Sequence, residues 1–206
     1  MRKLLLAAIV CCVAASVALA QAPPPMPASP APSAAQVAPP APPQAPPSLA
    51  TWLKNAYTTT RGYLAKAAEK MPEENYGMRP GTQTEVRTFG QIIGHVANAN
   101  YSYCSSGKGE KNPNQGNEFE KVTAKADLVK ALNDSLAYCD AVYADLTDSS
   151  VMETVQITMA NGRQVQFLRA ARLIANHAHN NEHYGNLVTY FRIKNIVPPS
   201  SEPRPQ

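Results

Sequence analysis

Between Ser48 and Lys194 the apolar residues recur mostly three and four positions apart, the spacing that gathers side chains on one face of an α-helix. Four stretches carry this period. The first starts at Leu49 behind Ser48, a capping residue, runs through Trp52, Leu53, Ala56, Tyr63, Leu64 and Ala67, and stops at Met71-Pro72. Thr88 caps the second, predicted over 89–105 with Ile92, Ile93 and Val96 on one side. The third is predicted over 124–146 and carries Leu128, Leu132, Leu136, Cys139, Val142 and Tyr143. The fourth and longest is predicted over 165–194, ahead of Pro198-Pro199. Residues 73–85 read as a turn-rich connection and 107–116 as a loop. Only Val155-Gln156-Ile157-Thr158 and Gln164-Val165, flanking Asn161-Gly162, suggest strands, and these form a small hairpin.

The predicted fold class is therefore all-α, a four-helix bundle with a small hairpin before helix 4. The absence of βαβ alternation excludes a parallel sheet. No glycine-rich phosphate loop, nucleophile elbow or internal repeat stands out.

The first 47 residues follow another pattern. Met1-Arg2-Lys3 is a short basic start, Leu4 to Leu19 is uncharged, and Ala18-Leu19-Ala20 is a small-x-small cleavage site, so residues 1–20 read as a signal peptide. Its apolar run is short for a membrane span, and Val10 before Cys11 argues against lipidation. Residues 21–47 hold twelve of the 19 prolines and no charge, the composition of a disordered linker. The remaining residues divide into one domain, 48–199, and a disordered tail, 200–206. That domain is too short for an eight-stranded α/β barrel or a two-domain dinucleotide enzyme. The leader predicts export, to the periplasm or the medium, with no membrane span in the mature chain.

Charge adds little. Taking Arg2 and Lys3 from the 19 basic residues leaves 17 against 15 acidic ones, too even for a nucleic-acid partner. A small-molecule substrate fits better, and a bundle of this size is compatible with a homodimer.

Candidate chemistry lies in the histidines. His179 and His183 are four apart on helix 4, one turn above each other, and an i, i+4 pair can hold one metal ion through two imidazole nitrogens. His177 lies about 200° around the helix from His179 and points elsewhere. His95, beside the apolar stripe of helix 2, is the remaining candidate, since bundle cores assemble metal sites from facing helices. Core histidines satisfied by single hydrogen bonds are the alternative. Asn98, about one turn from His95, is a candidate supporting residue, and Glu182 is about 100° off the ligand face.

The segment "ANHAHNNEHYGNLVTYFRIKNIVPPS" resembles the last helix of the DinB-like (damage-inducible) proteins, whose hallmark is H-x-x-x-H continued as H-R-G-Q. "FGQIIGHVANAN" is similar to the family's second helix with its single histidine, and "MPEENYGMRP" to its inter-helix segment. Tyr184 stands where the family usually has Arg, and Asn186 where it has Gln. The resemblance spans about residues 48–199. It implies a divalent metal held by His95, His179 and His183, with positions left for water. Zn²⁺ and Ni²⁺ suit that donor set best, and Fe²⁺ and Mn²⁺ are compatible with it. Some relatives activate a low-molecular-weight thiol. An open metal position implies a metal-dependent hydrolase or transferase. A non-catalytic metal-binding or structural module of the cell envelope is the alternative.

Cys11 and Cys12 leave with the leader, so Cys104 and Cys139 remain as an even pair in an exported chain, which favours a disulfide over two buried thiols. Each lies fifteen residues into its helix. The two sulfurs are level only if helices 2 and 3 run parallel. Parallel neighbours need a long crossover, and residues 106–123 are long enough to make one.

Overall fold

The structure is a computed structural model that describes residues 48–159 and 161–203. The expected signal peptide and the proline-rich segment lie outside the described residues. Four helices and one two-stranded antiparallel hairpin make up the described chain: α1 Leu49–Lys70, α2 Phe89–Lys108, α3 Lys125–Ala144, β1 Thr154–Thr158, β2 Gln164–Leu168 and α4 Arg169–Ile193. No helix among the described residues is long and apolar enough to cross a membrane.

The caps are those the sequence suggests. Ser48 accepts the Thr51 N–H at 3.1 Å. Thr88 and Gln91 form a reciprocal capping box: Thr88 Oγ1 accepts the Gln91 N–H and Gln91 Oε1 accepts the Thr88 N–H.

Three boundaries differ from expectation. Helix α2 does not end at Ser105 but continues to Lys108, where Gly109 in the left-handed conformation (φ 79°) closes it. Gly107 stays helical because Leu173 of α4 packs where its side chain would be; an added Cβ would sit 2.9 Å from Leu173 Cδ2. Helix α4 starts at Arg169 rather than Val165, because residues 164–168 are drawn into the hairpin, Val155 opposite Phe167 and Ile157 opposite Val165. The tail expected to be disordered from residue 200 is tied down as far as Glu202. The Ser200 N–H donates to the Tyr184 hydroxyl at 2.7 Å, and Glu202 pairs with Lys70. Asn195 in the left-handed conformation (φ 56°) closes α4, and Pro198 and Pro199 lead into this short 3₁₀ turn.

Close contacts fix the helix directions. Gly90 approaches Leu128 and Cys104 is bonded to Cys139, so α2 and α3 run parallel, joined by the long crossover 109–124. The disulfide has its Cα atoms 5.5 Å apart. Lys54 meets the Ala144 carbonyl while Lys125 meets that of Glu69, so α1 and α3 are antiparallel. Tyr63 stacks on Tyr184 and Trp52 meets His177 edge-on, so α1 and α4 are parallel. Helix α4 opposes α2, as His95 faces His179 and Gly107 faces Leu173.

The core divides into two clusters. One, around Phe89, Ile93, Leu132, Leu187 and Phe191, fills the end where α2 begins. The other, around Leu53, Tyr57, Cys104, Cys139 and Leu173, fills the end where α2 finishes. A buried polar layer lies near their junction. Asn100 Oδ1 accepts from Asn176 Nδ2 at 3.0 Å and Asn180 Nδ2 at 2.9 Å, while Asn100 Nδ2 donates to Ser135 Oγ at 3.2 Å. The network pairs both ends of the Asn100 amide, which would be costly to bury unpaired, and leaves Asn180 Oδ1 without a partner.

Candidate metal centre

Antiparallel packing of α2 on α4 brings the second-helix histidine level with the i, i+4 pair. His95 Nε2 lies 3.0 Å from His179 Nε2, and His183 Nε2 lies 3.2 Å from the same atom. One ligand nitrogen from each residue falls within 4.8 Å of the others. His183 is buried, whereas His95 and His179 keep some exposure. The cluster therefore has an inner wall and an accessible side.

The protonation pattern follows from the partners. His95 Nδ1 is 2.7 Å from Glu120 Oε1, and an ionised carboxylate only accepts, so Nδ1 carries a proton and Nε2 is the nitrogen turned to the cluster. His179 Nε2 has imidazole nitrogens on two sides, yet carries at most one proton. Burial, and then the neighbouring His179 and His95, push His183 down to about 4. Burial and His95 likewise lower His179. Burial and neighbours thus favour the neutral form of His179 and His183, and all three rings turn a nitrogen toward one another. Two of the three separations are close to the roughly 3.3 Å between nitrogens that share one tetrahedral Zn²⁺ at about 2.0–2.1 Å. The donor set fits a divalent cation.

Glu120 carries no signal that sequence spacing would single out. It comes from the crossover, on a 3₁₀ turn Phe119–Lys121, and no spacing rule links residue 120 to residue 95. Gly94 is what admits it: a Cβ there would lie 2.4 Å from the Phe119 carbonyl oxygen. A glycine inside an otherwise regular helix is the one local signal that something approaches closely. Arg87 holds the same carboxylate, Nε to Oε2 at 2.8 Å. Burial raises the Glu120 pKa, but the hydrogen bonds from Arg87 and His95 outweigh it and keep the carboxyl below its ordinary range.

Asn98 does not support His95. Its amide is turned to the crossover, accepting from Asn114 Nδ2 at 3.1 Å and the Phe119 N–H at 3.4 Å and donating to Glu118. From an exposed-edge position one turn along, it anchors the strap that presents Glu120. His177 lies apart from the cluster, against Trp52 and the Asn181 amide. Glu182 is exposed. The two departures from H-R-G-Q also have places: Tyr184 is a buried ring that clamps the C-terminal turn, and Asn186 Nδ2 lies 3.4 Å from His183 Nδ1.

Beside His183 opens a cavity of about 360 Å³, whose walls include Ile92, Val86, Arg87, Asn186, Thr189 and Tyr190. Its lining mixes polar and apolar side chains and includes His183.

The model of the DinB superfamily matches residues 56–185. No curated protein matches the sequence. Among solved structures, a DinB-like protein from Bacillus subtilis is 19% identical, with a TM-score of 0.54, covering 70% of this chain and 92% of that one. The mycothiol-dependent maleylpyruvate isomerase is 14% identical with a TM-score of 0.50, covering 68% of this chain and 63% of the isomerase. A point mutant of that isomerase gives a TM-score of 0.51. At these identities the likeness is one of fold.

Proposed function

Because the chain belongs to the DinB superfamily, we propose that it is an exported four-helix-bundle metalloprotein. In this reading it holds one divalent ion through His95, His179 and His183 and acts as a metal-dependent hydrolase or transferase on a small molecule. The carrying observation is the convergence of three Nε2 atoms from two antiparallel helices, two pairs of them 3.0 and 3.2 Å apart. Zn²⁺ and Ni²⁺ are the first candidates for three imidazoles. The Cys104–Cys139 bridge supports an oxidising compartment, as export would provide.

A cation at this point supplies a Lewis acid that makes a water or thiol nucleophilic near neutral pH. The rest falls to the chain. Glu120 holds the His95 proton at Nδ1, so that Nε2 faces the centre with its lone pair. Arg87 keeps Glu120 ionised and fixes the carboxylate in place through Nε. The cavity next to His183 receives one end of the substrate, and Ile92 and Val86 exclude water from one side of it.

Metal analysis of protein purified without an affinity tag tests the reading. Wild type is expected to carry close to one divalent ion per chain, and His183→Ala or His95→Ala to lose most of it. His177→Ala should retain it, because that ring packs on Trp52. Full occupancy in His95→Ala would refute the site. Glu120→Gln keeps the shape but not the charge, and is expected to weaken metal affinity about 10–100-fold by competition against a chelator.

A further inference from the structure

Arg172 is unusual among the cations of this protein. Its guanidinium carbon lies 4.8 Å from the ring centre of Tyr103 on α2 and 4.8 Å from that of Phe167 on β2. Its Nε donates to Ser106 Oγ at 2.8 Å. The side chain is therefore held by Tyr103, Phe167 and Ser106, and among the described residues its two terminal nitrogens make no hydrogen bond. Arg172 takes part in none of the ion pairs among the described residues, and of the four described arginines without one (Arg79, Arg163, Arg172 and Arg192) only Arg172 lies over aromatic rings. Burial lowers its pKa, as expected for a partly buried cation without a counter-ion. Two aromatic faces stabilise a guanidinium without neutralising it. A fixed and unneutralised fork is suited to a carboxylate or phosphate.

Position connects this group to the metal centre. Arg172 precedes His179 by seven residues, two turns of α4, so the two lie on the same face about 10 Å apart. Tyr103 spans the interval: its ring is 5.5 Å from that of His179 and also carries the guanidinium. Ala175, between Arg172 and His179, and Ala99, midway from His95 to Tyr103, are small and partly exposed, so no bulky side chain from these positions blocks the path. Arg87, the arginine on the other side of the histidines, is already engaged by Glu120 through two nitrogens, at 2.8 and 3.4 Å.

We propose that Arg172, set between Tyr103 and Phe167, is an anion subsite, and that the substrate of this centre carries a carboxylate or phosphate about two helical turns from its reacting group. This rests on the metal reading above and narrows its substrate class. The Tyr103 ring offers a flat surface for the connecting part of the molecule. The hairpin, through Phe167, supplies one wall of the subsite.

The test uses the full mature chain loaded with Ni²⁺ or Zn²⁺. The probe is the monohydroxamate of suberic acid, which has a metal-binding end and a carboxylate end, compared with its methyl ester by calorimetry. The acid is expected to bind about tenfold more tightly than the ester. That advantage should shrink in Arg172→Lys, vanish in Arg172→Met and persist in Arg87→Met. Equal affinity of acid and ester in wild type, or an advantage that survives in Arg172→Met, overturns the subsite. The acid–ester comparison in wild type needs no variant and so does not depend on how well Arg172→Met folds. Metal content measured on the same samples separates the two claims. If wild type takes up no metal, the metal reading fails. The subsite is then decided by phenyl phosphate alone: a saturable shift of the Arg172 Nε–H resonance supports it, and an unmoved resonance overturns it.

Discussion

The two ends of this protein are held together by different means. At the end where α2 and α3 begin, Phe89 is fully buried and meets Tyr76, Tyr190 and Phe191 edge-on, with Ile93, Leu128, Leu132 and Leu187 around them. This is a cluster of large apolar side chains. The opposite end has smaller and more polar contents: Ala50, Ala170, the two cysteines, and Tyr57 stacked on Tyr143 at 3.9 Å. The Tyr143 hydroxyl must be satisfied there, by the Leu173 carbonyl at 2.8 Å and Asn176 Oδ1 at 3.0 Å. Burial of apolar area is the main stabilising term where the side chains are large. Where they are small, a covalent bond between two parallel helices substitutes for it. The histidines on α2 and α4 lie between the two ends, His183 buried and His95 and His179 partly exposed.

The contrast can be broken at either end. Phe89→Ala is expected to have the largest effect, about 3–5 kcal/mol, because the cavity would open among three other aromatic rings. Chemical denaturation gives the value, and a loss under 1 kcal/mol would show that the first end is not held by this cluster. Next comes the cross-link. Replacing Cys104 and Cys139 together by alanine opens a 35-residue loop and should cost about 3–4 kcal/mol. In a thermal scan that is a fall of about 10 °C. An unchanged midpoint would mean that packing alone holds the second end. The smallest of the three effects is expected at the junction. Asn100→Ala removes the acceptor of both Asn176 and Asn180 and should cost about 1–3 kcal/mol. If it instead exceeded the cysteine replacement, the polar layer rather than the disulfide would be the principal fastening of that end.

The histidine cluster sharpens the same comparison from the side. Gly94→Ala leaves both core clusters intact but drives a methyl group into the Phe119 carbonyl. It should displace Glu120, and so weaken metal binding in the manner of Glu120→Gln, with a smaller effect on the thermal midpoint than the cysteine replacement. A large loss of stability with metal affinity unchanged would place the strap in the folding of the helices rather than in the support of His95.

The amino-acid sequence by itself was enough for the local features. Ser48 and Thr88 start their helices because a short side-chain oxygen at that point satisfies a free N–H whatever the surroundings. Four helices, the hairpin turn, the i, i+4 histidine pair and the exclusion of His177 follow from periodicities within one element. Even the parallel course of α2 and α3 was legible, since two cysteines at equal depth can be bonded only if the helices share a direction. Tertiary structure decided the rest. Whether residues 165–168 extend α4 or pair with β1 depended on partners 8 to 14 residues away, and the close packing at Gly107 on Leu173, 66 residues away. Glu120 reaches His95 only because the crossover folds back over Gly94, and Asn98 turns to that crossover instead of to the histidine. Arg172 becomes an isolated cation only once a helix and a strand have closed on it. Backbone propensity and helical spacing act over a few residues, whereas the choice of a side chain's partner is made by whichever distant segment the packing brings beside it.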